Sequence, residues 1–260
     1  MKRNDLTQSL LLLLRLLKLP AFVAAYETFA QQAERDGWTH AEYLRRLVEL
    51  EITERRQRRI ERLRKGAGLP KDKTLGALKT EKLPAKVRRQ VPGLCEGGFV
   101  QRAENVLAFG LPGRGKTHLL AAIGHDLVQR GYAVLFTPAY RLVQRLLAAK
   151  RDLLLDRALK HLDAYDAVIL DDLGYVQQDR EEMEVLFTFL SERYERRSVM
   201  ITSNLVFSQW DQIFKNPMTT MAAIDRLVHH AIILEMTGAS VREEEAKAGR
   251  RGVPSSEGAT

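Results

Sequence analysis

The sequence predicts an α/β fold in which a parallel-sheet core is preceded by a small all-helical domain. Three observations carry this. Residues 110–117 read Gly-Leu-Pro-Gly-Arg-Gly-Lys-Thr, a complete phosphate-binding loop. From Asn105 onward, short apolar runs alternate with amphipathic stretches, as in a parallel sheet whose strands are joined by helices. Residues 6–65 show only helical spacing of their apolar side chains.

In the first segment Leu6, Leu10, Leu13, Leu14 and Leu17 recur at helical spacing until Pro20 breaks the run. A second helix is expected from Ala21 to Asp36, ahead of Gly37. Thr39 and Glu42 form the start of a capping box for a third helix running to about Lys65. Its second half is basic, with Arg55, Arg56, Arg58, Arg59 and Arg62 in eight residues. Residues 66–98, rich in Gly and Pro and weak in periodicity, read as a connector with short helical turns. The core is expected over 99–242. Its strands are predicted at 105–109, 133–137, 167–171, 198–203 and 231–235, and its helices at 116–130, 139–149, 181–195 and 219–229. The charged, small-residue tail 243–260 is expected to be disordered.

A glycine-rich turn between a strand and a helix aims backbone N–H groups and the positive helix end at one point. Gly110, Gly113 and Gly115 leave room for phosphate oxygens, with Pro112, Arg114 and His118 completing the predicted binding set. Lys116 would reach the β- and γ-phosphates, and the Thr117 hydroxyl would hold Mg²⁺. The chain is thus expected to bind a nucleoside triphosphate. Asp171 and Asp172 end an apolar strand, at the edge where parallel sheets place ligands. Asp171 would hold Mg²⁺ through water and Asp172 would orient or deprotonate the attacking water. Asn204 ends another strand, a position that suits a γ-phosphate contact and equally an ordinary turn. Arg226 precedes the last strand and offers a cation for charge developing on the γ-phosphate; Arg242 is a weaker candidate of the same kind.

The single Cys95 excludes a disulfide framework within the chain and fits a reducing cytoplasm. The leucine-rich start is interrupted by Arg15, Lys18 and Pro20, so neither a signal peptide nor a membrane span is expected. Net charge is +8, and it is unevenly placed. Between Glu51 and Gln90, 14 Lys and Arg stand against 5 Asp and Glu, leaving the rest of the chain close to neutral. Such a stretch suits contact with a polyanion, most simply nucleic acid, and also suits a solvated helix face.

Taken together, G-x-P-G-x-G-K-T-H-L, I-L-D-D-L-G-Y, I-T-S-N-L, I-D-R-L-V-H-H-A and G-x-S-x-R resemble the IstB-like AAA+ ATPases. These are transposition helper proteins of insertion sequences, related to the DnaC helicase loader. The resemblance extends upstream through L-L-L-L-R-L-L-K-L-P and the basic helix, covering roughly residues 10–242. It implies a P-loop AAA+ core lacking a full helical lid, with ATP and Mg²⁺ as cofactors. Asn204 would be the first sensor, and Arg226 a finger acting on a neighbouring subunit's nucleotide. The implied function is an ATP hydrolase that forms a ring or helical homo-oligomer on duplex DNA and assists a transposase, in the cytoplasm and without a membrane. A helicase loader and a nucleotide-switched DNA adaptor with negligible turnover are the alternatives. Asp172 stands where most AAA+ proteins have Glu, one methylene longer, which implies slow hydrolysis or geometry completed by a partner.

Overall fold

Five fully or largely apolar segments line up as parallel strands, as expected of a sheet covered by helices. In the computed structural model, which describes residues 3–175, 180–205 and 225–237, these are β1 (Asn105–Phe109), β2 (Val134–Pro138), β3 (Ala167–Asp171), β4 (Ser198–Ser203) and β5 (Ala231–Glu235). They pair in the order β2-β3-β4-β1-β5, all parallel. All five lie within one residue of their expected positions. Val106, Leu107 and Ala108 of β1 have no exposed surface, nor have Val168, Ile169 and Leu170 of β3.

The chain divides into two units, Met1–Arg62 and Leu63–Thr260. The first is helical: α1 (Arg3–Leu16), α2 (Pro20–Asp36) and the start of α3 (His40–Gly66). Pro20 opens α2 at a position that needs no N–H donor. Half of the expected capping box forms at α3, where the Glu42 amide donates to Thr39 Oγ1 at 3.2 Å. Glu51 of α3 is buried and accepts the Ala21 amide at 2.8 Å and Arg55 Nε at 2.7 Å, which ties the start of α2 to α3. Burial alone would raise the Glu51 carboxyl, but the bonds from Arg55 and Ala21, with the charges of Arg55 and Arg58, outweigh it and hold it low.

In the second unit, α4 (Ala85–Glu96) and α5 (Gly98–Gln101) precede β1, and α6 (Lys116–Gln129) follows it. Helices α7 (Ala139–Arg151), α8 (Leu155–Asp163) and α9 (Arg180–Arg193) complete the layers. Residues 66–98 are more ordered than a connector. Ala67 O accepts the Phe136 amide at 2.7 Å on the outer side of β2, covering a sheet edge. Helix α4 packs on α6 through Val87, Val91, Leu94 and Cys95, and keeps Pro92 inside it because this buried stripe outweighs one missing backbone bond. Helix α8 was not expected. Arg193 is buried at the end of α9 and donates to the carbonyls of Leu162, Tyr165, Asp166 and Ser198, which locks α8 and the start of β4 together. Of the expected helix 219–229, residues 225–228 are helical and 219–224 lie outside the described residues, as do Arg242 and the tail 243–260. Among the described residues no helix is long and apolar enough to cross a membrane.

Candidate functional site

The strand order decides what meets at the C-terminal edge of the sheet. Because β4 lies between β1 and β3, the turn after β4 stands between the phosphate-binding loop and the two acids. Lys116 begins α6 and is 5% exposed. Its Nζ donates to Gly110 O (2.6 Å), Leu111 O (2.9 Å) and Asn204 Oδ1 (2.6 Å). The loop is therefore closed on its own lysine, and that lysine is joined to the end of β4. Gly110 has φ +149, and a Cβ there would lie 2.4 Å from Met236 O, so glycine lets the loop leave β1 against the end of β5. Gly115 has φ +80 and faces open space, the cradle expected in front of a helix N-terminus.

The acids are held by a residue that the sequence did not single out. Thr202 of β4 is fully buried, donates from Oγ1 to Asp171 Oδ1 at 2.7 Å and accepts the Asp172 amide at 2.8 Å. One hydroxyl thus sets the carboxylate of Asp171 and the backbone of Asp172. Asp172 has φ +58, a left-handed conformation that Asp adopts more readily than most residues. The available signal was a Thr two residues before Asn204, directly after the apolar run Val199-Met200-Ile201.

Other predicted residues fall less simply. Thr117 follows Lys116 in the first turn of α6 and is half-buried, while Pro112 is exposed. The His118 ring does not join the cradle: its Nε2 lies 3.0 Å from Thr74 O, just as His125 Nε2 lies 2.9 Å from Pro70 O. Both rings fasten residues 70–74 to α6. Arg226 lies before β5, at the sheet edge opposite the loop, since Asn105 of β1 pairs with Ala231. Five strand residues, at about 3.3 Å each, separate those edges. There Arg226 Nη1 donates to Ser191 Oγ and its guanidinium lies 5.0 Å over the Phe187 ring. Arg226 does not meet the nucleotide loop of its own chain.

Arg55, Arg56, Arg58, Arg59 and Arg62 of α3 are all exposed, but they are not equivalent. Arg55 also donates to Lys18 O at 2.7 Å, and Arg58 lies 3.5 Å from Glu51 and donates to Glu54 O. Arg55 is built into the helical unit. Arg55, Arg58, Arg59 and Arg62 follow one helix face, with Arg56 at its margin.

The residues around the loop fit a nucleoside triphosphate with a divalent ion. Lys116 is a buried cation, and Nε and Nη1 of Arg114 in the same loop are buried with no hydrogen-bond partner, two donors that a bound anion would satisfy. Asp171 offers a half-buried carboxylate one strand away from Asn204, the hard oxygen chemistry that Mg²⁺ prefers.

A family model described as IstB-like ATP binding protein matches residues 12–248. An insertion-sequence protein of Sinorhizobium fredii, named for ATP binding, is 45% identical over 236 residues, 90% of this chain and 79% of that protein. An IS21 protein of Pseudomonas aeruginosa, likewise named, is 38% identical over 238 residues, 91% of this chain and 90% of its own. Among solved structures, DnaI superposes with a TM-score of 0.55 at 22% identity over 66% of this chain and 96% of its own. The DnaC helicase loader superposes with a TM-score of 0.51 at 16% identity, over 58% of this chain and 89% of its own. These likenesses show an AAA+ fold.

Proposed function

This chain belongs to the IstB-like ATP-binding proteins, and from that premise we propose that it is an ATPase of insertion-sequence transposition, assembling with ATP and Mg²⁺ on duplex DNA and assisting a transposase. Lys116 binds the β- and γ-phosphates, with Arg114 supplying a second cation from the same loop. Thr117 and Asp171 would hold Mg²⁺, which when bound neutralises charge on the phosphate oxygens. Asp172 orients the attacking water, and Asn204, joined to Lys116, senses the terminal phosphate.

The observation that carries the assembly is the separation of Arg226 from Lys116 by the full height of the sheet. A cation there reaches a γ-phosphate only in another copy of the chain, so a site gripped by one subunit is completed by the next. The exposed Arg58, Arg59 and Arg62 supply phosphate contacts to DNA without reading bases. Relatives that are 38–45% identical belong to insertion sequences, whereas the helicase loader shares the fold at 16% identity, which favours the transposition reading over the loader.

A mixing experiment tests this. Lys116→Ala keeps the finger but loses ATP; Arg226→Ala keeps ATP but loses the finger. Each alone is expected to hydrolyse no ATP in the presence of duplex DNA. An equimolar mixture is expected to recover about a quarter of wild-type turnover, because one adjacent pairing in four unites both intact halves if subunits mix at random. A mixture as inactive as its components, in copies shown by light scattering to co-assemble, removes the trans-acting arginine.

A further inference from the structure

Outside the nucleotide site, one group of side chains has the composition of a metal centre. Glu195, His229 and His230 each present a ligand atom, and these three atoms lie within 4.8 Å of one another. All three residues are exposed. His230 Nε2 is 3.6 Å from Glu195 Oε1, and the two imidazole rings are 4.1 Å apart at their centres. We propose that Glu195, His229 and His230 bind a divalent transition-metal ion of the zinc class, with a fourth position left to water or a donor from another molecule.

Backbone placement supports this set. His230 is anchored because its carbonyl accepts the Asn105 amide of β1 at 2.9 Å, and His229 because its amide donates to Asp225 O at 2.9 Å. Glu195 sits in the turn between α9 and β4 with φ +56, a strained conformation for this residue that brings its carboxylate toward His230. The Tyr194 hydroxyl lies 2.8 Å from His229 Nδ1. With the proton on Nδ1 donated to Tyr194, Nε2 keeps its lone pair for a metal, the arrangement by which an outer partner fixes a ligand's tautomer. Two imidazoles and a carboxylate with one open position are a familiar zinc donor set, with metal–ligand distances near 2.0–2.2 Å. Ligand atoms around such an ion stand roughly 3.3 Å apart, so small rotations of exposed side chains close the set.

The consequence is local and mechanical. The metal joins the turn after α9 to the segment 225–230, which also carries Arg226. Arg226 already docks on α9 through Ser191 and Phe187. Occupancy fixes that segment at both ends. The metal site itself does not depend on the trans-acting role of Arg226.

Zinc binding is measured by competition with a chromophoric chelator, on the full chain without nucleotide or Mg²⁺, with Co²⁺ as the spectroscopic probe. One Zn²⁺ per chain is expected, with visible Co²⁺ bands of a low-symmetry four-coordinate site, neither displaced by excess Mg²⁺. His229→Ala and His230→Ala should each weaken Zn²⁺ binding by more than the roughly 10–100-fold typical of losing an outer partner, and Tyr194→Phe by an amount in that range. Glu195→Gln, the least disruptive change, should also weaken it, and circular dichroism with ATP binding checks that each variant is folded. Stoichiometry well below one, or binding unchanged in the His229→Ala/His230→Ala double variant, overturns the proposal and leaves a His–Glu ion pair.

Discussion

Replacing Thr202 by valine removes one hydroxyl and little else, since the two side chains have nearly the same shape. The position has no exposed surface, so water does not take the place of the lost group directly. Two bonds go: the donation to Asp171 Oδ1 at 2.7 Å and the acceptance of the Asp172 amide at 2.8 Å. A bond to a charged acceptor contributes about 1.5–3 kcal/mol, and a neutral one about 0.5–1.5. Asp171 is half-buried and recovers part of its loss from solvent, so the net cost is about 2 kcal/mol. For a domain of this size that lowers Tm by about 4–8 °C.

The functional effect is separable from the loss of stability. Freed of Thr202, Asp171 and the backbone of Asp172 sample orientations that a bound metal and an attacking water do not use. ATP affinity without Mg²⁺ should stay within about twofold, whereas the strengthening of ATP binding by Mg²⁺ should shrink. Turnover should fall about 10–30-fold, which is what 1.4–2 kcal/mol of lost transition-state stabilisation amounts to. Thr202→Ser restores the hydroxyl and should recover most of both. The assays are fluorescence titration of a nucleotide analogue with and without Mg²⁺, and phosphate release. Wild-type Mg²⁺ dependence and turnover in Thr202→Val, at a temperature where it is folded, would refute the positioning argument.

Reversing charge at Arg58, Arg59 and Arg62 should weaken duplex binding and reduce the slope of log K against log salt by about 0.9 for each DNA phosphate no longer neutralised; an unchanged slope makes this face merely solvated. Arg55→Ala should instead destabilise the helical unit, because Arg55 holds Glu51 and Lys18 O. Glu51 titrates below its ordinary value of 4.5, so the stability it contributes is present above that pH and is lost as pH falls through the lower folded-state value. Thermal melts from pH 6 to 3 should show this loss, and Glu51→Gln should remove that part of the pH dependence; identical profiles would mean Glu51 is not linked to folding. Burial pushes the Cys95 thiol up to about 12, helped by the neighbouring Asp126 carboxylate. Cys95 should therefore resist a thiol reagent at pH 8 in the folded chain and react fully in denaturant, and rapid reaction in the native state would contradict its burial on the face of α4 that packs on α6.

What could be read from the sequence was decided by the range of the interactions involved. The five strands were legible because a parallel strand covered on both faces is a continuous apolar run, a property of five adjacent residues. Helix α4 carried a legible stripe too, Val87, Val91, Leu94 and Cys95, but Pro92 among neighbouring glycines and prolines masked it. Helix α8 offers Leu155, Ala158, Leu159 and Leu162 at helical spacing within only nine residues, too short for periodicity to stand out. Thr202 was illegible for another reason: its partners lie 31 and 30 residues away, and they meet only because β4 sits beside β3. The contact of the His118 ring was illegible on the same account, since its partner Thr74 is 44 residues upstream. Arg226 is the instructive contrast. In a parallel sheet every residue that follows a strand lies on one edge, and every residue that precedes one lies on the other. The loop 110–117, Asp171, Asp172 and Asn204 all follow strands, and Arg226 precedes one. Its distance from its own nucleotide loop was therefore implicit in the sequence once the sheet was known to be parallel. A cation placed that way would meet a nucleotide only when a second copy brings its own loop edge against it, which is why the proposed role of Arg226 requires assembly.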